Sequence, residues 1–109
     1  MAKNPKLFAT QSYAVEQQLL KLGNDLRTAR LRRKLTMADV AEKIGTGVRA
    51  VSDAEKGKIS TAVGVYMALL WAYDLMAPMD LVADPAHDRE GLRLAYHGSS
   101  GGLGQRASR

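Results

Sequence analysis

Four residues in one short stretch, Val48, Arg49, Ser52 and Asp53, carry side chains suited to reading an edge of hydrogen-bond donors and acceptors. At helical spacing they share one face, together with Lys56. The guanidinium fork of Arg49 matches the paired acceptors O6 and N7 of guanine, a contact worth about 1–3 kcal/mol of discrimination. Val48 suits a thymine methyl, and Ser52 a base edge or a phosphate. Asp53 either accepts from a cytosine amino group or pairs with Arg49 or Arg30. Around this face lie Arg30, Arg33, Thr36, Met37, Thr46, Lys56 and Lys58. Bases and helix N-terminal N–H groups at such positions hold phosphates, which set register and not sequence.

The charge distribution points the same way. The net charge is +5, and residues 22–34 alone carry +4 through Arg27, Arg30, Arg32, Arg33 and Lys34 against Asp25. Residues 61–84 carry −3, from Asp74, Asp80 and Asp84, with no base among them. A basic stripe beside an acidic segment suits a surface that meets a polyanion, with nucleic acid first in line.

Catalysis finds no support. His87 and Glu90 are three apart, but no second pair of ligand residues accompanies them, and His97 borders a Gly/Ser stretch. There is no glycine-rich phosphate loop after a strand and no nucleophile with a base beside it. The expectation is no catalytic residue, no metal and no cofactor. With no cysteine, disulfides and thiolate metal sites are excluded, and a reducing compartment is compatible. No apolar run approaches the roughly 20 residues that span a bilayer, so no membrane association is expected. Lys3 and Lys6 are not followed by an apolar stretch of signal-peptide length, which makes the cytoplasm the expected location.

The elements that must position these residues are helical. Of the 109 residues 46% are hydrophobic, mostly Leu, Ala, Val and Met, with one Trp and one Phe. Such a composition fills a helical core better than a β-sandwich. Residues 1–11 show no periodicity and read as a flexible arm. Ser12 can cap a helix whose apolar positions recur at Val15, Leu19, Leu22, Leu26 and Ala29, ending near Lys34. Gly23-Asn24 reads as a kink or a division of that helix. Thr36 stands where an N-cap belongs and Asp39 three residues on, so the two can form a capping box. Gly45 stops the helix that Val40, Ala41 and Ile44 make amphipathic. After Thr46 and Gly47 a second helix of about eight residues runs to Glu55, and Gly57 ends it; this spacing predicts a helix-turn-helix. Ser60 or Thr61 is expected to cap a longer helix from Val63 to about Leu75, apolar on most sides and so buried on more than one face. Pro78 suits the first turn of a short helix over 79–83, and Asp84-Pro85 closes it. Beyond Pro85 the chain turns polar.

Three groups of residues, in order and at matching spacing, resemble the Cro-and-phage-repressor (XRE) family. They are Leu22-Gly23…Leu26…Ala29-Arg30, Thr36…Val40-Ala41-Glu42-Lys43-Ile44-Gly45 and Val51-Ser52…Glu55-Lys56-Gly57. The resemblance implies an all-α, lambda-repressor-like bundle of about five helices with the second helix of the motif in the major groove of DNA. Met37 departs from the glutamine common at its place, and Glu55 matches a position that turns inward. Further on, residues 66–73, 80–85 and 88–92 resemble the HipB-like branch. That branch implies an antitoxin that binds a HipA-type kinase toxin and represses the shared operon.

Such a regulator pairs two recognition helices roughly 34 Å apart on a palindromic operator in double-stranded DNA, which implies a homodimer. The apolar residues left after one small core is filled are the expected dimer surface: Trp71, Leu75, Met76, Met79 and Val82. The expected organisation is an arm over 1–11, a DNA-binding and dimerisation domain over 12–85, and a polar, largely disordered tail over 86–109. The competing reading is a protein-interaction module that keeps the helix-turn-helix scaffold without binding DNA.

Overall fold

The structure, a computed structural model, describes residues 12–98. Among the described residues there are five α-helices: α1 Tyr13–Arg32, α2 Met37–Ile44, α3 Val48–Glu55, α4 Val63–Ala72 and α5 Arg89–Gly98. Two 3-10 helices, Ala77–Leu81 and Pro85–His87, lie between α4 and α5, and no strand forms among the described residues. The all-α bundle expected from composition and periodicity is the fold observed. No described helix is long and apolar enough to cross a membrane. The expected arm over 1–11 and residues 99–109 of the expected tail lie outside the described residues.

The described chain divides into two compact units between Met76 and Ala77. In the first, α3 packs against α1, α2 and α4, and α2 packs also against α4. The core at their junction holds Leu26 and Ala29 of α1, Val40 and Ala41 of α2, Val51 and Ala54 of α3, and Tyr66 and Leu69 of α4. Tyr73, just past α4, completes it. Ala41 is buried at the helix crossing, where a larger side chain would hold the helices apart.

Local chemistry explains the boundaries. Ser12 caps α1, its Oγ accepting from the Val15 N–H at 3.3 Å. α1 ends at Arg32, and Lys34 turns the chain with a left-handed φ of 57°. Gly23 does not kink or divide this helix, which runs unbroken for 20 residues. A Cβ there would lie 2.6 Å from the Ala54 carbonyl oxygen and 2.7 Å from that of Glu55. The glycine is a seat for the end of α3, a long-range contact that a local propensity reading cannot see.

α4 also departs from expectation. Neither Ser60 nor Thr61 caps it: the cap position is Ala62, with no side-chain hydrogen bond. The helix stops at Ala72, because Asp74 adopts a left-handed φ of 59° and the Leu75 N–H returns to the Leu70 carbonyl at 2.8 Å. Apolar all round, α4 fully buries Tyr66 and Leu69 and half-buries Val65, Met67, Ala68, Leu70 and Ala72. Val63 and Trp71 are exposed, so burial extends over most of the helix but not all of it.

In the second unit, the short helix expected over 79–83 is a 3-10 turn over Ala77–Leu81. Asp84 caps the turn Pro85–His87, its Oδ1 accepting from the Ala86 N–H at 3.1 Å. Residues 89–98, expected within a largely disordered tail, instead form α5. Asp88 starts it by accepting from the Gly91 N–H at 2.9 Å. Leu92 and Tyr96 then recur one turn apart while Arg93 pairs with Glu90, a helical pattern that overall polarity hides.

Candidate nucleic-acid interface

The pair α2–α3 is built from short-range chemistry. Thr36 Oγ1 accepts from the Asp39 N–H at 3.0 Å, and Asp39 Oδ2 accepts from the Thr36 N–H at 2.9 Å, the reciprocal capping box expected. Hydrogen bonding of the carboxylate to Thr36, first to its backbone N–H and next to its side chain, holds the Asp39 pKa below its ordinary 3.8. Gly45 ends α2 with φ 77°, ψ 37°, and the Thr46 N–H returns to the Ala41 carbonyl at 2.9 Å. Gly47 then opens α3, with no side chain capping the first turn.

The inner side of α3 is Val51, Ala54 and Glu55, all buried. The opposite side is open. Val48 is 47% exposed, Arg49 and Lys56 are exposed, and Ser52 and Asp53 are half-buried. Val48, Arg49, Ser52 and Asp53, predicted from spacing to share a face, are brought together at the outer side of α3.

Four of the residues expected at phosphates are placed differently from a free basic surface. Arg30 is 7% exposed and is corrected to an interior role. Its Nε and Nη2 donate to Glu55 Oε2 and Oε1 at 2.6 and 3.0 Å, and its Nη1 to the Leu35 carbonyl at 2.9 Å. The hydrogen bond to Glu55 holds the Arg30 pKa above its ordinary value against the opposing effect of burial. Arg33 binds the end of α4: Nη2 donates to the Tyr73 carbonyl at 2.9 Å, and the guanidinium lies 5.5 Å from the Tyr73 ring centre. Met37 is half-buried and packs on the core. Lys58 pairs with Asp53 at 3.2 Å. Asp53 therefore pairs with neither Arg49 nor Arg30. Thr36 is exposed and Thr46 half-buried at the two ends of α2, and Lys56 is exposed after α3.

Of the expected dimer residues, Trp71, Leu75 and Met76 are exposed on the first unit, and Trp71 lies 5.8 Å from Lys43 Nζ. Val82 is exposed and Met79 half-buried in the second unit. His87 pairs with Asp84, Nδ1 to Oδ2 at 3.1 Å. Among the described residues no group of three or more potential metal ligands comes together.

Three contacts were not anticipated. Glu55 neutralises Arg30, Gly23 admits the end of α3, and the Tyr66 hydroxyl donates to the Lys58 carbonyl at 2.8 Å. Each joins residues on different helices or loops, where helical spacing gives no signal. No curated protein matches the chain. The family models do give a match, which begins at Leu26 in α1 and ends at Asp74 after α4. Residues 26–74 match the helix-turn-helix family model, and α2 and α3 both lie within the match.

Proposed function

We propose that this protein is a sequence-specific DNA-binding transcriptional regulator with Arg49 as its principal base reader. The observation that carries the reading is the outer face of α3, where Arg49 stands exposed in the first turn with no ion pair within the described chain. Its fork is free for guanine, and Val48 beside it offers methyl groups. Lys56, and the N–H groups at the start of α2 beside Thr36 and Met37, supply contacts to phosphate. Arg30 acts from within, holding α3 to α1.

The regulator works as a homodimer on a palindromic operator and represses its own gene. Support for the dimer is the exposed apolar set Trp71, Leu75 and Met76, which a monomer would leave in water. A HipA-type kinase is the proposed protein partner, on the resemblance of residues 66–73, 80–85 and 88–92 to HipB-like antitoxins. A cytoplasmic location follows from the same reading.

Fluorescence anisotropy tests the central claim, using a duplex selected from a random pool and an unselected duplex of equal length. Arg49→Ala is expected to weaken the selected complex by about 1–3 kcal/mol and the unselected one far less. Equal losses on both would remove Arg49 as a base reader. Light scattering tests the dimer: Trp71→Asp should yield a monomer, and a wild-type monomer at micromolar concentration would refute pairing. Absence of a kinase reading frame beside this gene would remove the antitoxin role.

A further inference from the structure

Lys58 is held at three points. Its N–H donates to the Asp53 carbonyl at 3.2 Å, its carbonyl accepts from the Tyr66 hydroxyl at 2.8 Å, and its ammonium pairs with the Asp53 carboxylate at 3.2 Å. Tyr66 is itself buried in the core, so the backbone of Lys58 is fixed to α4 as well as to α3. Only the Lys58 side chain retains freedom, and Asp53 restricts it. The pair is half-exposed, 48% for the lysine side chain and 26% for the aspartate, and pairs of that kind contribute little to folding. Its consequence lies in where it leaves the charges. Asp53 stands one turn after Arg49 on the outer face of α3, where a free carboxylate would repel phosphate and a free lysine would attract it.

We propose that Asp53 is a positioning residue that moderates attachment to the DNA backbone by tethering Lys58, and is not itself a base reader. The proposal rests on the DNA-binding reading given above. A lysine contacting phosphate must leave or share its carboxylate partner, so the pair offsets part of the electrostatic gain on any duplex, whatever its sequence. Tyr66 keeps the backbone of Lys58 at the end of α3, so that the released ammonium falls beside the same groove as Arg49.

The test titrates the full chain with an unselected duplex and with one selected from a random pool, across a range of salt. Asp53→Asn should tighten both complexes by a similar factor, roughly three- to tenfold at low salt. The slope of log K against log salt should steepen by about 0.9, the value for one added phosphate contact. Asp53→Glu should restore the wild-type slope, since a longer carboxylate still reaches the ammonium. In a Lys58→Gln background Asp53→Asn should leave the slope unchanged and tighten both complexes by less than in the wild type, since only the repulsion by the carboxylate is removed. Loss confined to the selected duplex would make Asp53 a base reader and overturn the proposal. A steepened slope that persists without Lys58, or no effect of Asp53→Asn at all, would overturn it equally. Failure of the wild type to bind any duplex would overturn the DNA reading and this proposal together, whereas the other failures leave that reading standing.

Discussion

Arg30 and Glu55, 25 residues apart, meet as a buried two-pronged ion pair that fastens α1 to the inner side of α3. Removing one partner leaves a charge in the core without compensation, which costs about 3–5 kcal/mol. Glu55→Ala and Arg30→Ala should each lower the free energy of unfolding by that amount, as measured by urea titration of the helical signal. Replacing both together, Arg30→Met with Glu55→Leu, should lose much less than the sum of the single changes. Additive losses would mean that the two side chains act independently.

Gly23 faces the carbonyl ends of Ala54 and Glu55 at distances no Cβ tolerates. Gly23→Ala gains about 1 kcal/mol of helix propensity and forces the helices apart, at a cost of about 1–3 kcal/mol or more. The net effect expected is a lowered Tm. Gly64 is the control: among the described residues a Cβ there meets nothing within 4 Å, so Gly64→Ala should raise Tm.

Tyr73 is 1% exposed and its hydroxyl, buried, has no hydrogen-bond partner among the described residues. Tyr73→Phe should therefore be neutral or stabilising by about 1 kcal/mol at neutral pH, since an unmet polar group is removed and the ring is kept. Burial, and next Glu55, push the hydroxyl above its ordinary 10.0, partly offset by Arg30 and Arg33. A raised pKa in the fold means that the group's contribution is whole below pH 10 and is lost as pH climbs beyond it. Tyr66, also raised by burial, adds to the same decline. Stability measured across that range should fall less steeply in Tyr73→Phe than in the wild type.

The capping box at α2 responds at the other end of the scale. Thr36→Ala should cost about 1 kcal/mol, read from thermal unfolding. Asp39 has a lowered pKa in the fold, so its stabilising effect is present above 3.8 and fades as pH falls below that value. Asp39→Asn should flatten the acid limb of the stability profile. An unchanged limb would show that the box does not form in solution.

The helix-turn-helix was legible because its signals are local. Thr36 with Asp39, Gly45 at φ 77° and Gly57 at φ 68° each act within a turn of their own position. The outer face of α3 followed from spacing alone. What spacing could not supply were the partners. Arg30 looked like part of a solvated basic stripe until Glu55 was placed against it. Spacing alone matches Asp53 to Arg49 or Arg30, and only the turn after α3 brings Lys58 to it. The end of α4 depended on Asp74 taking a left-handed backbone, which composition does not announce. α5 was hidden within a segment read by its overall polarity, although the order of its apolar and charged residues is helical.

The seat at Gly23 also decides when parts of the molecule open. Glycine within a helix ordinarily marks a place of easy bending. Here the backbone of α3 lies directly on it, so α1 cannot flex there unless α3 lifts away. Amide protons of Leu26 and Ala29, next in the same buried row, should exchange with solvent only when the whole domain unfolds. Those of Tyr13 to Gln17, on the exposed first turns, should exchange far sooner.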